Sequence, residues 1–533
     1  MNYFGFSGLA SLVFIGLVGG WITNRQLERT SLAAGNSPNQ VVTEQEPAQE
    51  EEKKAPLPDR LDLVKEWQKP EVTLFISGGQ QGYIEPCGCT GLENQKGGLM
   101  RRRDCQKILQ DRGWNLVSLD MGDQIRRTSL QSNLKLRATY ETMTKLMRYD
   151  CIGLGPEDLK LAVADIVQLI ANSIETETPF TCSNVTVVDE TFVAPFRIIT
   201  SNGKRIGVVM ALGDDSDVAN INAANANNEI KRMSAAKGIE TALAKIQKAG
   251  KCDALVLLAQ TTKEVCLKYA QQFPFDLIVV GDCPGEPTML AEKIFKNDRT
   301  TQVIEVGTKG MHVGLVACNW NNGKLEMAYE RVPMDARFQD DPEAKKIFIN
   351  YQKELEVLYN NPADFPDIQP RKSPSGLKYV GSERCNDCHE EEYEIWKDGL
   401  EGEGGPHFRA TEDLINPKNN PRAEIKRNFD PECLSCHVTG WNPQNFFPYE
   451  SGYRDLQKDT VLHGNGCENC HGPGKEHSDA EDGSNEELQA KFRKMVRREL
   501  KDAEAMCIEC HDIDNSPDFL KKGFQEYWKH IKH

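Results

Sequence analysis

Between residues 70 and 335 short apolar runs alternate with stretches whose apolar side chains recur at helical spacing. The runs Val72–Ser77, Leu116–Asp120, Ala254–Ala259 and Leu277–Gly281 predict strands. The periodic stretches Leu99–Arg112, Leu134–Arg148, Glu157–Asn172 and Ala235–Ala249 predict helices between them. Two further pairs, Phe196–Thr200 with Arg205–Leu212 and Val313–Trp320 with Leu325–Val332, flank Asn202-Gly203 and Asn322-Gly323. Asn-Gly suits the two positive φ angles of a tight hairpin turn, so both pairs read as hairpins. Strands alternating with helices argue for an α/β domain, whose ligands collect at the carboxyl ends of the strands.

The flanking segments have other patterns. Tyr3–Ile22 is apolar and uncharged, long enough to span a bilayer. It lacks a basic leading region and a small-residue cleavage site, which favours an uncleaved anchor at 1–24 over a signal peptide. Residues 25–69 begin with a stretch rich in Glu, Gln, Pro and Ala and read as a solvated tether. Residues 336–375 form a bridge: Asp341-Pro342 opens a helical run to about Tyr359, and the Pro-rich stretch after it reads as extended. The last segment, 376–533, lacks long periodic runs and is instead organised by cysteine and histidine.

Charge and cysteine count narrow the picture. The formal net charge of −16 disfavours nucleic acid and anionic lipid surfaces as partners. Of 17 cysteines, eight fall in four copies of Cys-x-x-Cys-His: Cys385-Cys388-His389, Cys433-Cys436-His437, Cys467-Cys470-His471 and Cys507-Cys510-His511. In a c-type cytochrome the two thiols bond to the haem vinyl groups and the histidine ligates the iron. Zinc ribbons also use Cys-x-x-Cys pairs, but they do not require a histidine after every second cysteine. Four covalent haem c groups are therefore expected. Because such attachment normally takes place outside the cytoplasmic membrane, the chain is expected on the periplasmic side, held by its amino-terminal helix. Five of the six remaining histidines also lie in this region, which reads as distal ligation. His407, His463, His477 and His533 are the expected ligands, with His530 competing for the last place.

Tyr379-Val-Gly-Ser-Glu-Arg-Cys385, Trp396 followed by His407-Phe-Arg-Ala410, Cys436-His-Val-Thr-Gly440 and Gly466-Cys-Glu-Asn-Cys-His-Gly-Pro-Gly474 resemble the cytochrome c-554 family. The resemblance covers about 376–533 and implies a mostly helical tetrahaem domain with closely packed haems that pass electrons. Some members leave one haem without a distal ligand, a gap that His463 would fill here.

The α/β segment resembles the metallophosphatase domain of periplasmic 5′-nucleotidases and thiosulfohydrolases. Gly122-Asp123, Tyr149-Asp150, Gly155-Pro-Glu-Asp158, Ser183-Asn184 and Val280-Gly281-Asp-Cys283 carry the likeness. That family's dimetal centre needs Asp and His ligands, and only Asp123 stands unchanged. Ser77-Gly78-Gly79-Gln80 replaces the first ligand pair, and Gln260 and Cys283 stand at later histidine positions. The fold is expected without phosphatase chemistry.

Glu85-Pro-Cys87-Gly-Cys89 followed by Gly97-Gly-Leu-Met-Arg-Arg-Arg103 resembles a family of UshA-like (seleno)proteins, which implies redox or metal-thiolate chemistry. Cys87, Cys89, Asp123 and Cys283 are the expected site, either holding zinc, copper or iron or serving as a dithiol couple. Arg101–Arg103 would supply positive charge to the thiolates. The leading reading is a membrane-anchored electron-transfer protein with redox partner proteins. A redox enzyme acting on a small sulfur, nitrogen or selenium species is the alternative, and a residual metallophosphoesterase a weaker one.

Overall fold

A computed structural model describes residues 60–87, 94–173, 177–215, 229–399, 405–416, 425–529 and 531. The expected anchor at 1–24 and most of the tether lie outside these residues. Among the described residues no helix is long and apolar enough to cross a membrane. The end of the expected tether belongs to the fold: Leu61 and Val64 are buried in the main apolar cluster, and Trp67 stacks on Trp114. The apolar side chains of Leu61, Val64 and Trp67 are what pull this stretch inward.

Two six-stranded sheets form the α/β part. In the first, Val72–Ser77 lies at the centre, parallel to Leu116–Asp120 and antiparallel to His312–Asn321. In the second, Lys204–Leu212, Ala254–Gln260, Leu277–Val280 and Arg299–Glu305 run parallel, with antiparallel strands Arg197–Ser201 and Glu292–Lys296 at the edges. Alternate side chains of the second sheet divide between two cores. Val208, Met210, Val256 and Leu258 join the first sheet, whereas Val209, Ala211, Leu257 and Ala259 meet the helices Ala235–Lys248 and Lys263–Gln272. Burial on both faces explains why these strands read as continuous apolar runs.

The expected hairpins form. Asn202 and Gly203 have φ of 48° and 74°, and Asn322 and Gly323 have 52° and 78°, as the tight turn requires. Two helices differ from expectation. The stretch expected over Leu134–Arg148 begins earlier as Leu130–Glu141 and ends in a π-turn, Thr142–Leu146. Ser129 caps its start by accepting from the Ser132 amide. Glu157–Asn172 divides into a short 3-10 turn, Asp158–Lys160, and the helix Val163–Ser173.

The bridge is part of a shared core. Asp341 caps the helix Pro342–Asn360, which buries Phe348, Tyr351 and Leu355. These side chains pack with Leu99 and Leu134 of the α/β part and with Leu434, Val438 and Trp441 of the last segment. The Pro-rich stretch is not extended: it makes two 3-10 turns, Pro362–Asp364 and Pro366–Ile368, and buries Phe365 and Ile368. Residues 57–533 consequently form one unit. The last segment is built of short helices, as expected, apart from two-residue strands at Trp441–Asn442 and Phe447–Pro448.

Candidate functional site

The second and third motifs lie on the short helices Pro431–His437 and Cys467–His471. The fourth closes the helix Leu500–Ile508, and the first runs between Ser382–Asn386 and Glu390–Asp398. On a helix, positions i, i+3 and i+4 share a face, so both thiols and the imidazole of a Cys-x-x-Cys-His motif point the same way.

Three of the motif histidines are oriented through Nδ1. His437 Nδ1 donates to the Ala410 carbonyl at 2.7 Å and His471 Nδ1 to that of Val496 at 3.1 Å. His511 Nδ1 lies 2.9 Å from Ser516 Oγ. A carbonyl can only accept, so the proton of neutral His437 and His471 sits on Nδ1 and the lone pair on Nε2, the form that ligates iron. Burial lowers the pKa of His437 and His511, which favours the neutral form of both rings.

The motifs are not arranged in chain order. Cys385 of the first lies beside Cys467 of the third, and Cys436 of the second beside Cys510 of the fourth. Cys470 of the third faces Cys507 of the fourth. The attachment sites therefore run first, third, fourth, second. Glu468, inside the third motif, fixes one junction: its buried carboxylate accepts the amides of Val380, Gly381 and Gly474.

The surroundings fit an apolar macrocycle. Ile508 within the fourth motif, Ile513 just after it, Leu500 on the same helix, Phe408 beside His407 and Val461 near His463 all stand exposed. Large apolar side chains gathered at attachment motifs are surface that a bound haem would cover.

Of the expected distal ligands, His407 stands with its ring centroid 5.9 Å from that of His511. Burial, then the neighbouring His511 and His437, hold its pKa down to about 4. His477 feels His389, and its Nδ1 is buried without a hydrogen-bond partner, 3.6 Å from Glu481. His463 Nε2 donates to the Leu456 carbonyl at 3.0 Å, which leaves Nδ1 as the ring nitrogen open to a metal. His530 and His533 lie outside the described residues.

The α/β part meets the fourth motif at a polar cluster that the sequence did not reveal. Cys87, on the short strand Pro86–Cys87, directs its thiol to Asp514 Oδ1 at 3.7 Å. Asp514 also accepts from Tyr83 and Lys309, and Arg126 Nη1 lies 3.3 Å away. Asp512 holds the loop by accepting the amides of Asp514 and Asn515. Burial alone would push the Asp514 carboxyl up, but hydrogen bonds from Lys309 and Tyr83 and the nearby cations bring it below its ordinary value. A second crossing pairs Arg427 with Glu85 at 2.8 Å.

The arginines expected to serve Cys87 are engaged elsewhere. Arg101 donates to the carbonyls of Gln95 and Met334, and Arg103 to Gln106 and Gln110. Arg102, fully buried, binds Ser77 and Gln80 and pairs with Asp120 at 3.8 Å. The residues that replace the first metal-ligand pair thus surround a guanidinium. Gln260, at a later ligand position, donates to the Met121 carbonyl.

The expected thiolate–carboxylate centre is not assembled from the described residues. No group of three or more His, Cys, Asp or Glu there could hold a metal. Cys87 turns to Asp514, Asp123 accepts the Glu157 amide at 3.0 Å, and Cys283 faces Glu305. Cys89 lies outside the described residues. Asp158, from the altered Gly155-Pro-Glu-Asp158 stretch, is a structural clamp whose carboxylate accepts the amides of Asp123, Gln124, Ile125 and Gly155.

The fold is similar to a 5′-nucleotidase precursor from Thermus thermophilus, with a TM-score of 0.46 and 17% identity, covering 64% of this chain and 66% of that one. It is also similar to the sulfate thiohydrolase SoxB of the same organism, with a TM-score of 0.44 and 13% identity, over 54% of this chain and 61% of that one. In sequence the chain is 29% identical over 154 residues to cytochrome c-554 of Nitrosomonas europaea. That match takes in 26% of this chain and 60% of the relative, so the chain spans less than two thirds of it. Residues 384–472, which hold the first three attachment motifs, match the family described as cytochrome c554 and c-prime.

Proposed function

We propose that the protein is a tetrahaem electron-transfer cytochrome whose α/β part presents a redox-active thiol site to the fourth attachment motif. Bound haem c supplies a one-electron iron couple. Around it the chain contributes paired thiols for attachment, motif imidazoles steered through Nδ1, and His407, His463, His477 and His533 as distal ligands. The contact between Cys87 and Asp514, three residues beyond His511, carries this reading because it joins a thiol to an attachment site. Asp514 accepts the S–H, and Lys309 and Arg126 supply positive charge that offsets a developing thiolate. With Cys89 as its partner, an oxidised pair takes up two electrons and two protons to become two thiols. The protein acts at the outer face of the cytoplasmic membrane, held by residues 1–24, and serves redox partner proteins.

Cys87 is only 1% exposed, which favours electron exchange over conversion of a sulfur, nitrogen or selenium substrate at this thiol. The guanidinium of Arg102 between Ser77, Gln80 and Asp120 argues against a phosphoesterase. Intact-mass spectrometry of the purified protein tests the cofactor assignment. Four haem groups per chain are expected; three or fewer would refute the tetrahaem reading.

A further inference from the structure

A cavity of about 430 Å³ lies where the α/β part, the bridge and the second-motif region meet. Arg126, Arg127, Lys160 and Arg371 line it together with Glu157, Asp367 and Glu432. Each acidic group is already satisfied within the protein. Glu157 pairs with Lys160 at 2.6 Å and Glu432 with Lys135 at 2.6 Å, while Asp367 accepts the Gln131 amide at 3.1 Å. Arg126 is committed to Asp514. Two guanidiniums remain without a carboxylate partner among the described residues, Arg127 and Arg371. Each lies over a ring of one short turn: Arg127 over Phe446 at 4.0 Å and Arg371 over Phe447 at 4.1 Å.

Both arginines are preorganised. The backbone of Arg371 is pinned on both sides, its amide donating to Pro448 and its carbonyl accepting from Glu450. Phe446 holds a left-handed φ of 57°, fixed by Asn442, whose side chain accepts the Gln444 and Asn445 amides. In a chain of net charge −16, two guanidiniums without a carboxylate partner among the described residues line one cavity. A guanidinium held against an aromatic face keeps its N–H fork free for a bidentate acceptor, the geometry that suits oxyanions.

We infer that this cavity is a binding site for a small molecule bearing a phosphate- or sulfate-type oxyanion, held by Arg127 and Arg371. The site borders the thiol cluster at Cys87 through Arg126, but it does not rest on the redox reading above. The helix start at Leu130 does not form it, because Ser129 and Asp367 already take the Ser132 and Gln131 amides.

The test is calorimetric titration of the full-length haem-loaded protein with inorganic phosphate, sulfate and pyrophosphate at low ionic strength. Saturable one-to-one binding of at least one of these is expected, with no heat from chloride at matched ionic strength. Arg127→Gln and Arg371→Gln should each weaken binding tenfold or more, and Arg371→Lys less. Tighter binding of pyrophosphate than phosphate would identify a ligand with two anionic groups, and equal binding a single head. Hydrogen exchange on the unaltered protein guards against misfolded variants: saturating ligand should slow exchange at 126–132 and 444–446. Absence of saturable binding, unchanged affinity in both Gln variants, or unprotected amides in these two stretches would overturn the site.

Discussion

The Cys87 thiol lies 3.7 Å from Asp514 Oδ1, across a separation of 427 positions in the chain. Asp514 is the keystone of that contact because Tyr83, Lys309 and Arg126 converge on the same carboxylate. Removing one partner of a largely buried ionic cluster leaves the others uncompensated, at a cost of about 3 kcal/mol. Asp514→Ala should therefore lower stability by that order and raise the alkylation rate of Cys87 with iodoacetamide at least tenfold. A thiol as unreactive as in the unaltered protein would show that Asp514 does not close the site.

The Asp158 carboxylate serves four amides, and burial is the first cause of its raised pKa. Asp158→Ala orphans these donors together and should cost roughly 3–5 kcal/mol, since a buried unsatisfied donor costs ~1–3 kcal/mol and the four share one loop. Asp123→Asn should cost less, because Asp123 accepts one amide, that of Glu157. Chemical denaturation of both variants decides the order, and a larger loss in Asp123→Asn would contradict the clamp.

His312 is buried, and its Nδ1 has no hydrogen-bond partner. Burial pulls its pKa from 6.5 to about 4. The folded state thus prefers the neutral ring. The stability this contributes is complete above pH 6.5 and disappears as pH falls toward 4, a total of about 3 kcal/mol by linkage. Replacing His312 by Gln should flatten the decline in melting temperature across this interval. An unchanged slope would assign the acid sensitivity to other groups.

The 5.9 Å spacing of the His407 and His511 rings makes a spectroscopic prediction. His407→Ala should convert one of four low-spin haem signals to high spin in the electron paramagnetic resonance spectrum, with the other three unchanged. A spectrum identical to that of the unaltered protein would remove His407 from the ligand set.

Local chemistry was legible in the sequence and long-range placement was not. Asn202-Gly203 and Asn322-Gly323 announce their hairpins because a two-residue turn depends on its own φ angles. The four Cys-x-x-Cys-His motifs are equally self-contained, since five adjacent residues make each site. The order first, third, fourth, second depends on packing between motifs and leaves no trace in their spacing. The same holds for Asp514, which reaches Tyr83 and Lys309 across 431 and 205 positions. Three consecutive arginines from Arg101 signalled positive charge near the thiols, but helical geometry sends Arg102 inward to Asp120 and its neighbours to other acceptors. The thiol site draws its cations from Lys309 and Arg126, two positions without local distinction.

The central claim is that the α/β thiol site and the attached haems form one redox system. Coulometric titration of the air-oxidised full-length protein counts the electrons each chain accepts. Four haem irons and one disulfide should take up about six, because a disulfide is a two-electron couple. Cys87→Ser should take up about four, with haem content unchanged by intact mass. Equal electron counts in the two proteins would contradict the claim and leave Cys87 as a structural thiol beside an independent cytochrome.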